Sequence, residues 1–190
     1  MTSLWFYGGV SEVGGNKILL EDGGTRLFLD FGMSFAQKGM FYEEFIQPRT
    51  NSGARDLLKM GLLPKLNGIY RQDYLKIEGI EDAVSHFDRP DYWISPLKSH
   101  QEYKKEKGEP FLKGVFITHA HADHFQHISF LDPEIPIFCS RITKCLIEAT
   151  YELSMPRGPE SETFKREKKP LDEFQSVYFP SSLTIESGDE

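Results

Sequence analysis

The chain has 190 residues, 39% of them hydrophobic, and its 22 Lys and Arg stand against 29 Asp and Glu for a formal charge of -7. That length supports one real core and favours a single domain. The charge excludes a generally basic nucleic-acid-binding surface, though not a local basic patch. No charged-then-apolar leader opens the sequence, and no stretch approaches the roughly 20 apolar residues that span a bilayer, so a cytoplasmic protein with no membrane partner is expected.

In chain order, Leu4 to Tyr7 is a short apolar run ending at Gly8-Gly9. Residues 16–20 and 25–31 are strand-like, and Glu21-Asp22-Gly23-Gly24 between them is a strong hairpin signal. The second of these strands leaves Asp30 at its tip, before Gly32 permits a sharp change of direction. Residues 33–113 break periodicity repeatedly and carry many aromatics, which reads as an irregular insertion or excursion with short helices near 53–60 and 78–86. The charged stretch 98–107 reads as a solvated helix or loop.

Regularity returns at Gly114-Val115-Phe116-Ile117-Thr118, a buried strand aimed into a histidine cluster. A short helix is predicted over 123–131, a strand over 135–138, and a helix capped by Ser140 that runs to about Leu153. The apolar positions of that helix at 142, 145, 146, 149 and 153 follow helical spacing. Cys139 and Cys145 lack CxxC spacing, and Cys145 falls on the apolar stripe, so a reduced, buried thiol is expected there instead of a bridge. Residues 160–169 are a charged run, and 176–179 and 182–185 are possible strands. The order strand, ligand loop, helix, strand, helix indicates an α/β sandwich.

Residues 119–124 read His-Ala-His-Ala-Asp-His and hold three of the six histidines. In extended backbone, residues two apart point the same way, so His119 and His121 can face one ion. Asp123 and His124 turn the chain and can face a second. Imidazole and carboxylate together suit zinc, and manganese or iron where oxygen contributes more. A single histidine would be read as an exposed polar residue; four ligand-type residues in six positions outweigh that reading. His127, one turn further on, is a hydrogen-bond support for the ligands or a surface residue. His86 and His100 sit in ordinary charged contexts and are not expected to bind metal.

The segment Thr118-His-Ala-His-Ala-Asp-His124 resembles the HxHxDH motif of the metallo-β-lactamase superfamily. The resemblance implies that His119 and His121 ligate a first metal, Asp123 and His124 a second, and that Asp123 also orients the nucleophilic water. It implies that Asp30, in Leu27-Phe-Leu-Asp-Phe-Gly32, supports the ligand loop through hydrogen bonds without ligating. The opening Gly8-Gly-Val-Ser-Glu-Val-Gly-Gly-Asn16 is similar to the start of the β-CASP, ribonuclease J-like branch that processes nucleic acids. The arginines of Pro48-Arg-Thr-Asn-Ser-Gly-Ala-Arg55 and Tyr70-Arg71 are candidates for meeting phosphate, or ordinary surface charges.

The family's full site also takes a further histidine, a bridging aspartate and a last histidine from the second half of the fold. No histidine follows His127, and neither Asp172 nor Asp189 has the surrounding motif for the bridging role. The expectation is therefore a partial metallo-β-lactamase-like domain over 1–190, the first half of an αββα sandwich. It is incomplete by itself, and a homodimer or a complementing second chain would bury its open sheet. The implied parent activity is metal-dependent phosphodiester hydrolysis with RNA as partner. The alternatives are hydrolysis of a thioester, lactone or β-lactam, or a non-catalytic assembly role.

Overall fold

The computed structural model describes residues 1–42, 53–76, 81–84, 86–87, 89–90 and 93–154. The expected strands at 176–179 and 182–185, Arg49, Asp172 and Asp189 lie outside them. The sheet is mixed and five-stranded, in the order β1 (Ser3–Gly8), β2 (Lys17–Asp22), β3 (Thr25–Leu29), β4 (Gly114–Phe116) and β5 (Ile137–Phe138). The first three strands are antiparallel, and β4 and β5 then add in parallel. Asp22 opposes Thr25, which leaves Gly23 and Gly24 as a two-residue turn at φ 55° and 85°. Both positions need the left-handed region that only glycine enters freely.

Residues paired directly across a ladder share a face. Leu19, Phe28, Val115 and Ile137 form one row, all buried. The described parts of the 33–113 excursion pack with this row: α2 (Arg55–Met60) and α3 (Gln72–Leu75) bring Leu57, Leu58, Tyr74 and Leu75, and the segment before α3 brings Ile69 and Tyr70, to one core. These residues form a packed layer of short helices joined by irregular segments. On the opposite face lie Leu4, Leu20 and Leu27 in one row and Phe6, Ile18, Leu29, Phe116 and Phe138 in the next. None of these eight apolar side chains is buried, and Phe6 and Phe116 are about half exposed.

Helices α1 (Phe35–Phe41), α4 (Glu81–Val84), α5 (His100–Lys107), α6 (Ala122–Phe125) and α7 (Arg141–Ser154) complete the order, with a 3-10 turn over Gln126–Phe130 tightening the end of α6. The α5 helix begins with a full capping box: Ser99 Oγ accepts from Glu102 N, and Glu102 accepts from Ser99 N. The solvated reading of 98–107 needs one correction. His100 is buried, with Nδ1 3.1 Å from the Gly68 carbonyl oxygen.

The α7 helix starts where the Ser140 cap places it, with Ser140 Oγ accepting from Thr143 N at 3.1 Å. Its orientation reverses the expectation. Thr143 and Ile147 are buried, whereas the apolar stripe of Ile142, Cys145, Leu146, Ala149 and Leu153 faces outward. Cys145 is consequently an exposed free thiol and not a buried one, while the free Cys139 is buried. Among the described residues no helix is long and apolar enough to cross a membrane.

Candidate metal centre

Two segments remote in sequence, residues 14–16 and 31–33, converge on the histidine loop. Backbone hydrogen bonds run from Asn16 N to Asp123 O (3.1 Å), Phe31 N to His124 O (2.7 Å) and Met33 N to Ala122 O (3.3 Å). The approach is close enough to require glycine. A Cβ on Gly32 would sit 1.7 Å from the Asp123 carbonyl oxygen, and one on Gly14 would meet the Asp123 side chain at 2.6 Å. Glu12 steadies the glycine-rich segment, accepting from Gly9 N (3.1 Å), Ser34 Oγ (2.7 Å) and Gln37 Nε2 (2.9 Å).

Asp30 is the hub. It ends β3 at φ 60°, an unusual left-handed conformation for a side chain other than glycine. Its carboxylate accepts from Thr118 N (2.8 Å), Thr118 Oγ1 (2.9 Å) and His124 Nδ1 (2.7 Å). With its proton on Nδ1, His124 presents the Nε2 lone pair outward. Thr118 Oγ1 donates to Asp30 and can therefore accept from His119 Nδ1, 3.0 Å away, which leaves His119 Nε2 as a lone pair too. Burial, reinforced by the neighbouring His124 and His121, pushes the His119 imidazole below its usual pKa and keeps it in the neutral form that can ligate.

The ligand-type atoms fall into two pairs. His119 Nε2 and His121 Nδ1 are 3.1 Å apart; His124 Nε2 and Asp123 Oδ2 are 3.4 Å apart. Two ligands each roughly 2.0–2.1 Å from a tetrahedral ion are separated by about 3.3 Å, so either pair fits adjacent corners of one coordination shell. The rings are in contact, with centroids of His119 and His124 3.7 Å apart. Each pair is still only two donors. Among the described residues no three His, Cys, Asp or Glu side chains are grouped to hold an ion by themselves.

His119, His121, Asp123, His124 and Asp30 thus come together as the sequence suggests. His127 does not join them. It is buried against Phe130, its ring 5.6 Å from that ring, and among the described residues its Nδ1 has no hydrogen-bond partner, so it is neither a support for the ligands nor a surface residue. Arg71 is likewise no surface charge. It is buried, grips Asp73 through Nε (3.1 Å) and Nη2 (2.8 Å), and lies over the Tyr74 ring. Asn16, Glu12 and Thr118 had been given no role. Asn16 Nδ2 lies 3.4 Å from His124 Nε2, and the only signal in the sequence was its position at the close of the glycine-rich run.

No protein-family model and no curated protein matches the chain. Among solved structures, it is similar to a protein of unknown function from Enterococcus faecalis V583, with a TM-score of 0.52 and 22% identity. That similarity covers 80% of this chain and 28% of the other, so the matched part spans less than a third of the length of that protein. The likeness is one of fold.

Proposed function

We propose that this chain supplies the first ligand set of a metal-dependent hydrolase of the metallo-β-lactamase type, acting on RNA phosphodiesters. One observation carries the reading: two donor pairs at coordination spacing, with the protonation of His124 fixed by a carboxylate behind it. His119 and His121 would hold one ion, and Asp123 and His124 a second. Zinc suits this nitrogen-rich set, with manganese or iron as alternatives. A bound ion supplies Lewis acidity to a phosphoryl oxygen. The chain's own part is to keep His119 neutral, turn the Nε2 atoms of His119 and His124 outward through Thr118 and Asp30, and offer the second oxygen of Asp123 to orient a water.

The open apolar sheet face supports an αββα sandwich, because stacking a second layer there is what would bury it. The glycine-rich segment docked on the ligand loop favours the RNA-processing branch over thioester, lactone or β-lactam hydrolysis. Two free thiols suit the reducing cytoplasm. Each donor pair needs further ligands from outside the described residues, and their supply by a second copy or a complementing segment belongs to the proposal.

The test is metal content of the purified protein beside a His119→Ala/His121→Ala variant, followed by RNA, thioester and lactone substrates offered to the metal-loaded protein. Bound zinc that disappears in the variant, with RNA cleavage, is the expected result. Zinc retained in the variant would refute the ligand assignment, and ester cleavage without RNA cleavage would refute the substrate.

A further inference from the structure

The glycine-rich segment from Gly8 to Asn16 closes on itself, with Gly9 so near Asn16 Oδ1 that a Cβ has no room. Gly9, Ser11, Gly14 and Gly15 all have positive φ, and Ser11, at 59°, is an uncommon occupant of that region. Val10, Ser11 and Val13 are exposed, so side-chain packing does little to hold this shape. The hold comes from Glu12. Its two carboxylate oxygens accept from Gly9 N, Ser34 Oγ and Gln37 Nε2, which ties the segment to the start of α1. Ser34 Oγ accepts in turn from Gln37 N at 3.2 Å, so its hydrogen is committed to Glu12. A glutamine at position 12 would bring an NH2 donor against these donors, because only a carboxylate accepts at both oxygens.

From this anchorage the segment meets the ligand loop at one end of the hexapeptide. Gly14 abuts the Asp123 side chain, and Asn16 N donates to Asp123 O at 3.1 Å. Asn16 Nδ2 lies 3.3 and 3.4 Å from the two ring nitrogens of His124, which sets the amide against the ring as a whole. Among the described residues, no hydrogen bond joins residues 8–16 to His119 or His121, which bond to Thr118 and to each other. Asp30 already fixes His124, so the greater burden of the segment is Asp123. We infer that Glu12 is a positioning residue for the second donor pair alone, holding Asp123 and His124 in place through Gly14 and Asn16. The inference rests on the reading of the two pairs as separate ion sites. Glu12 also partly offsets the burial of the Lys17 ammonium, a role that concerns the fold as a whole.

Two measurements on the wild type, Glu12→Gln and Gly14→Ala test it, the last variant pressing a methyl group directly on Asp123. In metal-free protein, hydrogen exchange of the Asn16 amide, which is bonded to Asp123 O, should be at least tenfold faster in Glu12→Gln. The Thr118 amide, bonded to Asp30, should exchange as in the wild type. In cobalt(II) titrations read by the absorption of the bound ion, the wild type should show two steps. Both variants should weaken one step at least tenfold and leave the other unchanged. Unaltered Asn16 exchange, or equal acceleration at Thr118, would overturn the inference and leave Glu12 a purely structural carboxylate. Two cobalt steps weakened alike, or not at all, would overturn it while sparing the reading of the donor pairs. Fewer than two steps in the wild type would refute that reading and this inference with it.

Discussion

Asp30 combines a strained backbone with three accepted hydrogen bonds, and the two features can be separated by substitution. Asn tolerates the left-handed conformation but lacks the charge that fixes the His124 proton. Asp30→Asn is therefore expected to leave the melting temperature nearly unchanged and to weaken zinc binding roughly 10–100-fold, as measured by competition with a chromogenic chelator. Lys17 and His127 are the other residues with large electrostatic consequences. Lys17 is 3% exposed, and burial, only partly offset by Glu12, pushes its ammonium down to about 8. Between pH 8 and 10 the unfolded chain holds this proton and the folded one does not, so stability rises with pH there. At pH 7 both states are protonated, and burying the charge costs about 3 kcal/mol. Lys17→Met should thus raise stability at neutral pH and flatten that rise in urea melts run from pH 7 to 10. Above pH 10 Tyr70, kept protonated by burial, turns the slope the other way. His127 is held neutral by burial, with Lys17 and Lys38 adding to the effect. The stability it contributes is present above about pH 6.5 and is lost progressively as acid protonates the unfolded chain.

At the level of elements, Ser99→Ala removes the capping box of α5 and should cost about 1 kcal/mol in a denaturant titration. The α7 helix shows what periodicity can and cannot decide. Its cap and its 142, 145, 146, 149, 153 stripe were readable, because both are local patterns. The direction the stripe faces was not, since a stripe specifies only that some apolar partner exists. The hairpin was legible because Gly23-Gly24 freely enters the left-handed region that a two-residue hairpin turn requires, and the hexapeptide because its donors are adjacent in sequence. Asn16, Glu12 and Thr118 were not, because their roles arise only from contacts with residues such as His124, Ser34 and Asp30, 22 to 108 positions away. His100 misled for the same reason, since charged neighbours in sequence do not report a Gly68 carbonyl 32 positions away. Arg71 was harder to read although Asp73 and Tyr74 are close in sequence, because its burial is set by the packed core and not by those neighbours.

Among the described residues, the second face of the sheet and the α7 stripe are outward apolar surfaces. A five-stranded face on which none of eight large apolar side chains is buried is beyond what isolated soluble proteins usually leave open. Sedimentation should give a mass at least twice that of the monomer, and Phe6→Lys/Phe116→Lys should shift it toward the monomer. A folded wild-type monomer at micromolar concentration would sink the expectation of association. The way the ligand loop is bound to the rest of the chain bears on time as well as geometry. Thr118 reaches Asp30 across 88 residues and Asn16 reaches His124 across 108. Contacts closing such long loops form late, after the hairpin and the local helices. The donors, adjacent in sequence, would then be held in their final orientation only beyond the folding barrier, and zinc should leave the refolding rate almost unchanged while slowing unfolding. Stopped-flow refolding and unfolding with and without zinc would reveal a metal that acts as a latch on a finished fold, not as the seed of one.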